Sequence, residues 1–185
     1  MAPADPERGA LPGSLVAAAM VLLVGGVFAA FAALFLAFLW FVADALPGFA
    51  ALTEFADLPE EDFRAAADVL WQVAGIGTLV FGAVAIGELA AGAGILGRLG
   101  WARILGIVLS ALAIVVWGLL FLAAATAGQT DPSLVEAFRD YPEALAAFDR
   151  LTTAGTVFGM IFYGLPLVCY AYALVILIWR GSEFE

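Results

Sequence analysis

Residues 69–109 read VLWQVAGIGTLVFGAVAIGELAAGAGILGRLGWARILGIVL. The first nineteen of them, Val69 to Gly87, carry no charge. A helix of about 20 apolar residues crosses the roughly 30 Å of hydrocarbon in a bilayer. Beyond the turn-forming Gly97-Arg98-Leu99-Gly100, a second uncharged run extends from Ile104 to Thr130. Outward from this pair the pattern repeats, with uncharged runs from Gly9 to Ala43 and from Leu151 to Trp179. Each run reaches the length of a span or comes within a residue of it, so the economical reading is four spans.

Composition agrees. Of the 185 residues, 65% are hydrophobic and 13% charged, where a soluble domain averages about 25% charged. Membrane β-barrels need alternating strands of about ten residues, and nothing here alternates. The expected fold is therefore all-α: an integral membrane antiparallel four-helix bundle, with short amphipathic helical segments on the outer side that continue into the spans. Spans are placed at about 14–45, 64–96, 101–127 and 150–179, forming a single domain over 1–180. The first run is far longer than the roughly 7–15 residues of a signal h-region, so it is read as a retained span. Gly181-Ser182-Glu183-Phe184-Glu185 reads as a cloning scar followed by the first residue of a protease site, and is set aside.

Charge sets the expected orientation. The segments Asp44–Asp68 and Asp131–Arg150 hold twelve acids against Arg64, Arg139 and Arg150, a net of −9. The opposite side carries Arg8, Arg98, Arg103 and Arg180 against four acids. Arginine close to the membrane marks the cytoplasmic face. Both termini are therefore expected in the cytoplasm of a multi-pass cell-membrane protein, with Arg98, Trp101, Arg103, Trp179 and Arg180 as interface anchors. Trp40 and Trp71 also fall near expected interfaces, where amphipathic rings are favoured. On the outer side, Phe55-Ala-Asp-Leu-Pro-Glu60 and Phe138-Arg-Asp-Tyr-Pro-Glu143 share Phe, Asp, Pro and Glu. One reading is a duplicated two-helix unit. The other is that Asp-x-Pro-Glu is a good helix start, with a cap, a first-turn proline and an acid at the positive dipole end.

Gly92-Ala-Gly-Ile-Leu-Gly-Arg-Leu-Gly-Trp-Ala-Arg-Ile-Leu-Gly-Ile-Val-Leu109 resembles the cytoplasmic hairpin of small, mostly uncharacterised four-span membrane proteins of high-GC bacteria. That hairpin has the form Gly-Leu-Leu-x-Gly-Arg-x-Trp-Ala-Arg. The present chain differs in having Leu99-Gly100 where a second arginine is common. The resemblance covers about forty residues, supports the topology and implies no activity.

Absences bear on chemistry. The chain has no histidine, lysine or asparagine, and Cys169 is its single cysteine. His-ligated haem or zinc, Ser-His and Cys-His couples, paired-cysteine redox chemistry and a lysine-bearing phosphate loop all need residues that this chain lacks. A net charge of −10 disfavours nucleic acid as a partner. No cofactor or metal is expected, although Glu60-Glu61-Asp62 with Asp57 forms an acidic group at a helix start.

Glu88 is the one acid inside an apolar stretch, and intramembrane carboxylates commonly mark function. Two frames compete. Asp68 and Glu88 are 20 residues apart, about 30 Å of helix, so they could mark the two membrane faces; this interfacial frame is preferred. If the span instead ends near Arg98, Glu88 is two to three turns deep, available as a coupling carboxylate or held by a tyrosine, threonine or arginine of a neighbouring helix. On the fourth helix, Gly155-x-x-x-Gly159 permits close helix approach. Pro166 frees the Phe162 carbonyl, and Tyr163 and Tyr170 lie nearby on the same face. Gly155, Gly159, Tyr163 and Pro166 form the candidate packing face. Phe28, Phe31, Phe35 and Phe38 form one aromatic face on the first helix, with Trp117 and Phe121 as expected neighbours. The leading expectation is a non-enzymatic, self-associating or accessory subunit of a membrane assembly. It would contact lipids and either copies of itself or other membrane-protein subunits. The alternative is a small transporter or channel with Glu88 as coupling carboxylate.

Overall fold

The computed structural model describes residues 11–45, 60–127 and 142–184. Four long helices account for nearly all of them: α1 (Gly13–Ala45), α2 (Glu60–Leu96), α3 (Gly100–Ala127) and α4 (Pro142–Trp179), followed by a short 3₁₀ helix, Gly181–Phe184. They pack antiparallel, and each contains a stretch long and apolar enough to cross a membrane: Gly13–Val42, Ala67–Leu96, Gly100–Thr126 and Arg150–Trp179. The chain is thus an all-α four-span bundle. α1 lies along α2 and α3 along α4, while α2–α3 and α1–α4 contacts close the ring. Residues 55–59 and 138–141 of the two outer motifs, and the side chains of Glu60, Glu61 and Asp62, fall outside what the structure describes, while Glu60 opens α2 and Pro142 opens α4.

Three residues connect α2 to α3. The amide of Leu99 donates to the carbonyl of Gly94 (2.9 Å) and that of Arg98 to Ile95 (3.0 Å), the paired bonds of a Schellman helix end. The left-handed position that such an end requires belongs to Arg98, with φ 55°, and no glycine among the described residues has positive φ. The turn's left-handed position is therefore taken by a non-glycine residue and not, as expected, by a glycine. Gly94 lets α3 come close: a Cβ there would stand 2.5 Å from Ala102 Cβ.

Burial is uneven along the bundle. Leu15, Ala18, Ala19 and Leu22 of α1, Ala91 and Ile95 of α2, Ala102 of α3, and Tyr170, Ala173 and Leu177 of α4 form one buried cluster. All lie in the half that contains the α2–α3 turn. Half of them are alanine, as expected where helices pack by close backbone approach without a hydrophobic driving force. At the other end the two pairs zip separately. Leu36 fits Gly77 and Trp40 fits Gly75 between α1 and α2, and Trp40 meets Trp71 edge-on at 5.7 Å. Between α3 and α4, Phe121 covers Gly164 and Ala124 meets Gly159. Among the described residues, α3 beyond Ser110 and α4 before Tyr170 bury none.

Of the expected anchors, Trp101 and Trp179 are exposed at the turn end. Arg103 instead reaches across to α4, donating from Nε to the Leu177 carbonyl (2.8 Å) and from a terminal nitrogen to that of Ile178 (3.3 Å). It satisfies carbonyls that a helix C-terminus leaves open, at the negative dipole end. Arg180 pairs with Glu183 at 3.7 Å, and Phe184 packs against the buried cluster. The segment set aside on sequence grounds therefore folds onto the bundle.

Candidate functional site

Three helices converge on Glu88. α2 continues eight residues past it, to Leu96, or about 12 Å at 1.5 Å per residue. Glu88 is 2% exposed and faces other helices, so its carboxyl lies inside the bundle and not on its outer surface. The nineteen-residue run suggested a complete span, but α2 turns only after Leu96, so its last two turns carry the carboxylate inside the packed half.

From α4, the Tyr170 hydroxyl donates to Glu88 Oε1 at 2.6 Å. Tyr170 is itself 6% exposed. A short bond from a neutral donor to a carboxyl oxygen is among the stronger hydrogen bonds, and an unpartnered carboxylate at this depth would be costly. From α1, Gly25 closes the third side. A Cβ on Gly25 would collide with the Tyr170 hydroxyl and stand 2.9 Å from Glu88 Oε2. Its neighbour Gly26 admits Leu89, and Gly92 admits Leu23. α1 therefore lies close against α2 at this level, and any larger residue at position 25 would push the phenol from the carboxyl. α3 closes the neighbouring turn, with Leu109 against Gly87. Next to Leu109 in the chain, the Ser110 hydroxyl is buried without a hydrogen-bond partner.

The remaining candidates do not join this site. Gly159 packs closely, its Cβ position 3.1 Å from Ala124 Cβ, but a Cβ on Gly155 would meet nothing within 4 Å. Only the second glycine of the Gly-x-x-x-Gly pair therefore packs within the chain, since Gly155 lies on the outward side of α4. Helix α4 runs through Pro166. Tyr163 packs against Trp117 at a tilt of 36° with ring centroids 6.0 Å apart, and Tyr170 is committed to Glu88. Phe28, Phe31, Phe35 and Phe38 are 60–71% exposed. Their expected neighbours are elsewhere, because Trp117 and Phe121 lean on α4. Among the described residues no group of three or more His, Cys, Asp or Glu side chains is placed to hold a metal.

Sequence reasoning named a tyrosine among possible donors to Glu88 without linking it to Tyr170, and missed Gly25. The signal for Gly25 was available: adjacent glycines, Gly25-Gly26, inside a helix otherwise rich in alanine, valine and phenylalanine. Such a pair is unfavourable in a helix unless close packing needs it. Compared with known proteins, the chain matches no family model, no curated protein and no solved structure.

Proposed function

We propose that this membrane protein is a small transporter or channel in which Glu88 is the coupling carboxylate. The observation that carries this reading is the 2.6 Å hydrogen bond from Tyr170 on one helix pair to Glu88 on the other. Ionisable groups within a membrane are expensive, and those that persist face the protein interior and mark ion pathways or proton relays. Burial of Glu88 favours this reading over the accessory role that its placement at the rim would suit. In this reading the arginine-bearing turn faces the cytoplasm, as do both termini. Cysteines at Glu61 and Glu143, introduced after replacing Cys169, then react with impermeant thiol reagents from outside, while one at Gly97 does not.

The direct test is reconstitution into vesicles under a membrane potential with either a pH gradient or a Na⁺ gradient imposed. Wild-type protein should dissipate one of the two gradients, and Glu88→Gln should fall to the rate of empty vesicles. A folded wild type with no Glu88-dependent flux overturns the proposal.

The second reading, a self-associating or accessory subunit, draws on the outward faces. Phe28, Phe31, Phe35 and Phe38 on α1 and Gly155 on α4 have no partner role within the described chain and suit contact with lipid or other helices. A protein partner recovered at fixed stoichiometry, with vesicles showing no flux, would favour it.

A further inference from the structure

Which ion Glu88 takes follows from the shape of its surroundings. We infer that the occupant is a proton and that the site is built against metal cations. This inference rests on the coupling role proposed for Glu88 and names what is coupled.

Oxygen number comes first. Hard cations such as Ca²⁺ take six to eight oxygen ligands, and Mg²⁺ demands about six in near-ideal geometry. Glu88 is a single carboxyl, and among the described residues no group of three His, Cys, Asp or Glu side chains is placed to hold a metal. The oxygen Oε1 already accepts the Tyr170 hydroxyl, so the positive end of an O–H dipole points at the position a cation would take. The oxygen Oε2 faces Gly25, where the gap is too small even for a methyl group. What stands there is a glycine Cα, which offers no ligand. Glu88 is 2% exposed, and Tyr170 and Gly25 stand against its two oxygens, where a cation with part of its water shell would have to sit. A proton needs none of these things.

The protonation step balances within the pair. In the ionised state Tyr170 keeps its proton and donates to Oε1. An arriving proton adds to a carboxyl oxygen, giving a neutral acid beside a neutral phenol, and leaves by the reverse step with no other group changing charge. Tyr170 is a positioning residue that holds the carboxyl in place in both states. It is also the one titratable group that α1, α3 or α4 presents to Glu88 among the described residues. α1 contributes Gly25 and α3 contributes Leu109 nearby, neither titratable. The Cys169 thiol precedes Tyr170 in the chain, and Arg103 is engaged with carbonyls at the end of α4.

Infrared spectra of the purified full chain in lipid nanodiscs, wild type minus Glu88→Gln, test this directly. The difference should contain the carbonyl stretch of a protonated carboxyl group in acid, shifted in D₂O, and should convert to carboxylate bands in alkali. Replacing choline chloride by NaCl or adding CaCl₂ at fixed pH should leave its amplitude unchanged. Tyr170→Phe should keep a titrating band but move its frequency, because the hydrogen bond is gone. Loss of the protonated band on adding Na⁺ or Ca²⁺ overturns the inference, as does a Glu88 signal that stays in one form at every pH. Titration without flux in vesicles leaves the proton site standing and removes the transport reading. Flux driven by a Na⁺ gradient does the reverse.

Discussion

At the end of the bundle that holds the α2–α3 turn, all four helices share one core; at the other, the molecule is two pairs side by side. The same chemistry behaves differently in each region. Near the turn, small residues let four backbones converge, and the side chains that fill the centre, Leu15, Leu22, Ile95 and Leu177, are fully buried. Far from it, the buried residues are small ones on the α1–α2 pair, such as Ala29, Ala74 and Gly75, and many large side chains are exposed. In a membrane the outward face is already in an apolar solvent, so large residues gain little by turning inward. The convergent end is therefore where specificity is built, and it is also where the polar pair lies. The Glu88–Tyr170 bond joins the two pairs near the point where their shared packing gives way.

The strongest way to break this contrast is to add the same bulk at each end. Gly106 on α3 is met by Leu177, Leu22 and Ile95 at 3.0–3.2 Å from a Cβ position, whereas Gly118 on the same helix has nothing within 4 Å. Gly106→Leu should cost about 3 kcal/mol or more through overpacking, and Gly118→Leu should stay within about 0.5 kcal/mol. Thermal unfolding in detergent measures both, and equal losses would dissolve the distinction between the ends.

A smaller effect is expected at the polar pair. Tyr170→Phe removes the donor and leaves the Glu88 carboxyl buried, a loss of about 1–3 kcal/mol for an unsatisfied group. In a Glu88→Gln background the same change should cost less. A double-mutant cycle reads the difference; interhelical bonds in membranes average about 0.6 kcal/mol, and a coupling near zero would mean that the bond does not hold the pairs together.

Arg103→Gln should follow, losing about 1 kcal/mol as the charged cap on α4 becomes a neutral one. The loss should appear as faster hydrogen exchange at the end of α4 rather than throughout the bundle. The smallest effect belongs to Arg98→Gly. Glycine relieves the left-handed backbone, so a gain or near-neutrality within about 1 kcal/mol is expected in the same unfolding measurement. A marked loss would show that the Arg98 side chain contributes more than its backbone costs.

How much of this was legible beforehand follows from the kind of signal involved. Span number and antiparallel order could be read because hydrocarbon imposes one uniform requirement on every residue of a span. The burial of Glu88 among helices could not, because two rulers disagreed. The charge-free run from Val69 measured one complete span, whereas the Arg98 turn measured another that extends two turns further. Its partner was hidden for another reason: Tyr170 lies 82 positions away, and helical spacing says nothing about which side chains meet across helices. Arg103 was recognised as a turn-side arginine, yet its hydrogen bonds depend on where α4 ends. Likewise Gly155 and Gly159 look equivalent in sequence, and only rotation of α4 about its axis separates the one that packs on Ala124 from the one that faces outward.

The three-residue connection at Gly97–Leu99 also constrains how the spans are directed. Three residues extend at most about 10 Å, and the Schellman bonds draw them tighter still. A connection this short keeps the end of α2 and the start of α3 side by side and fixes their directions as opposite. Arg98 lies in the connection and Arg103 in the first turn of α3, so both arginines sit on the side of the bundle where α2 ends and α3 begins. Any change that reversed one of these two spans would reverse its neighbour.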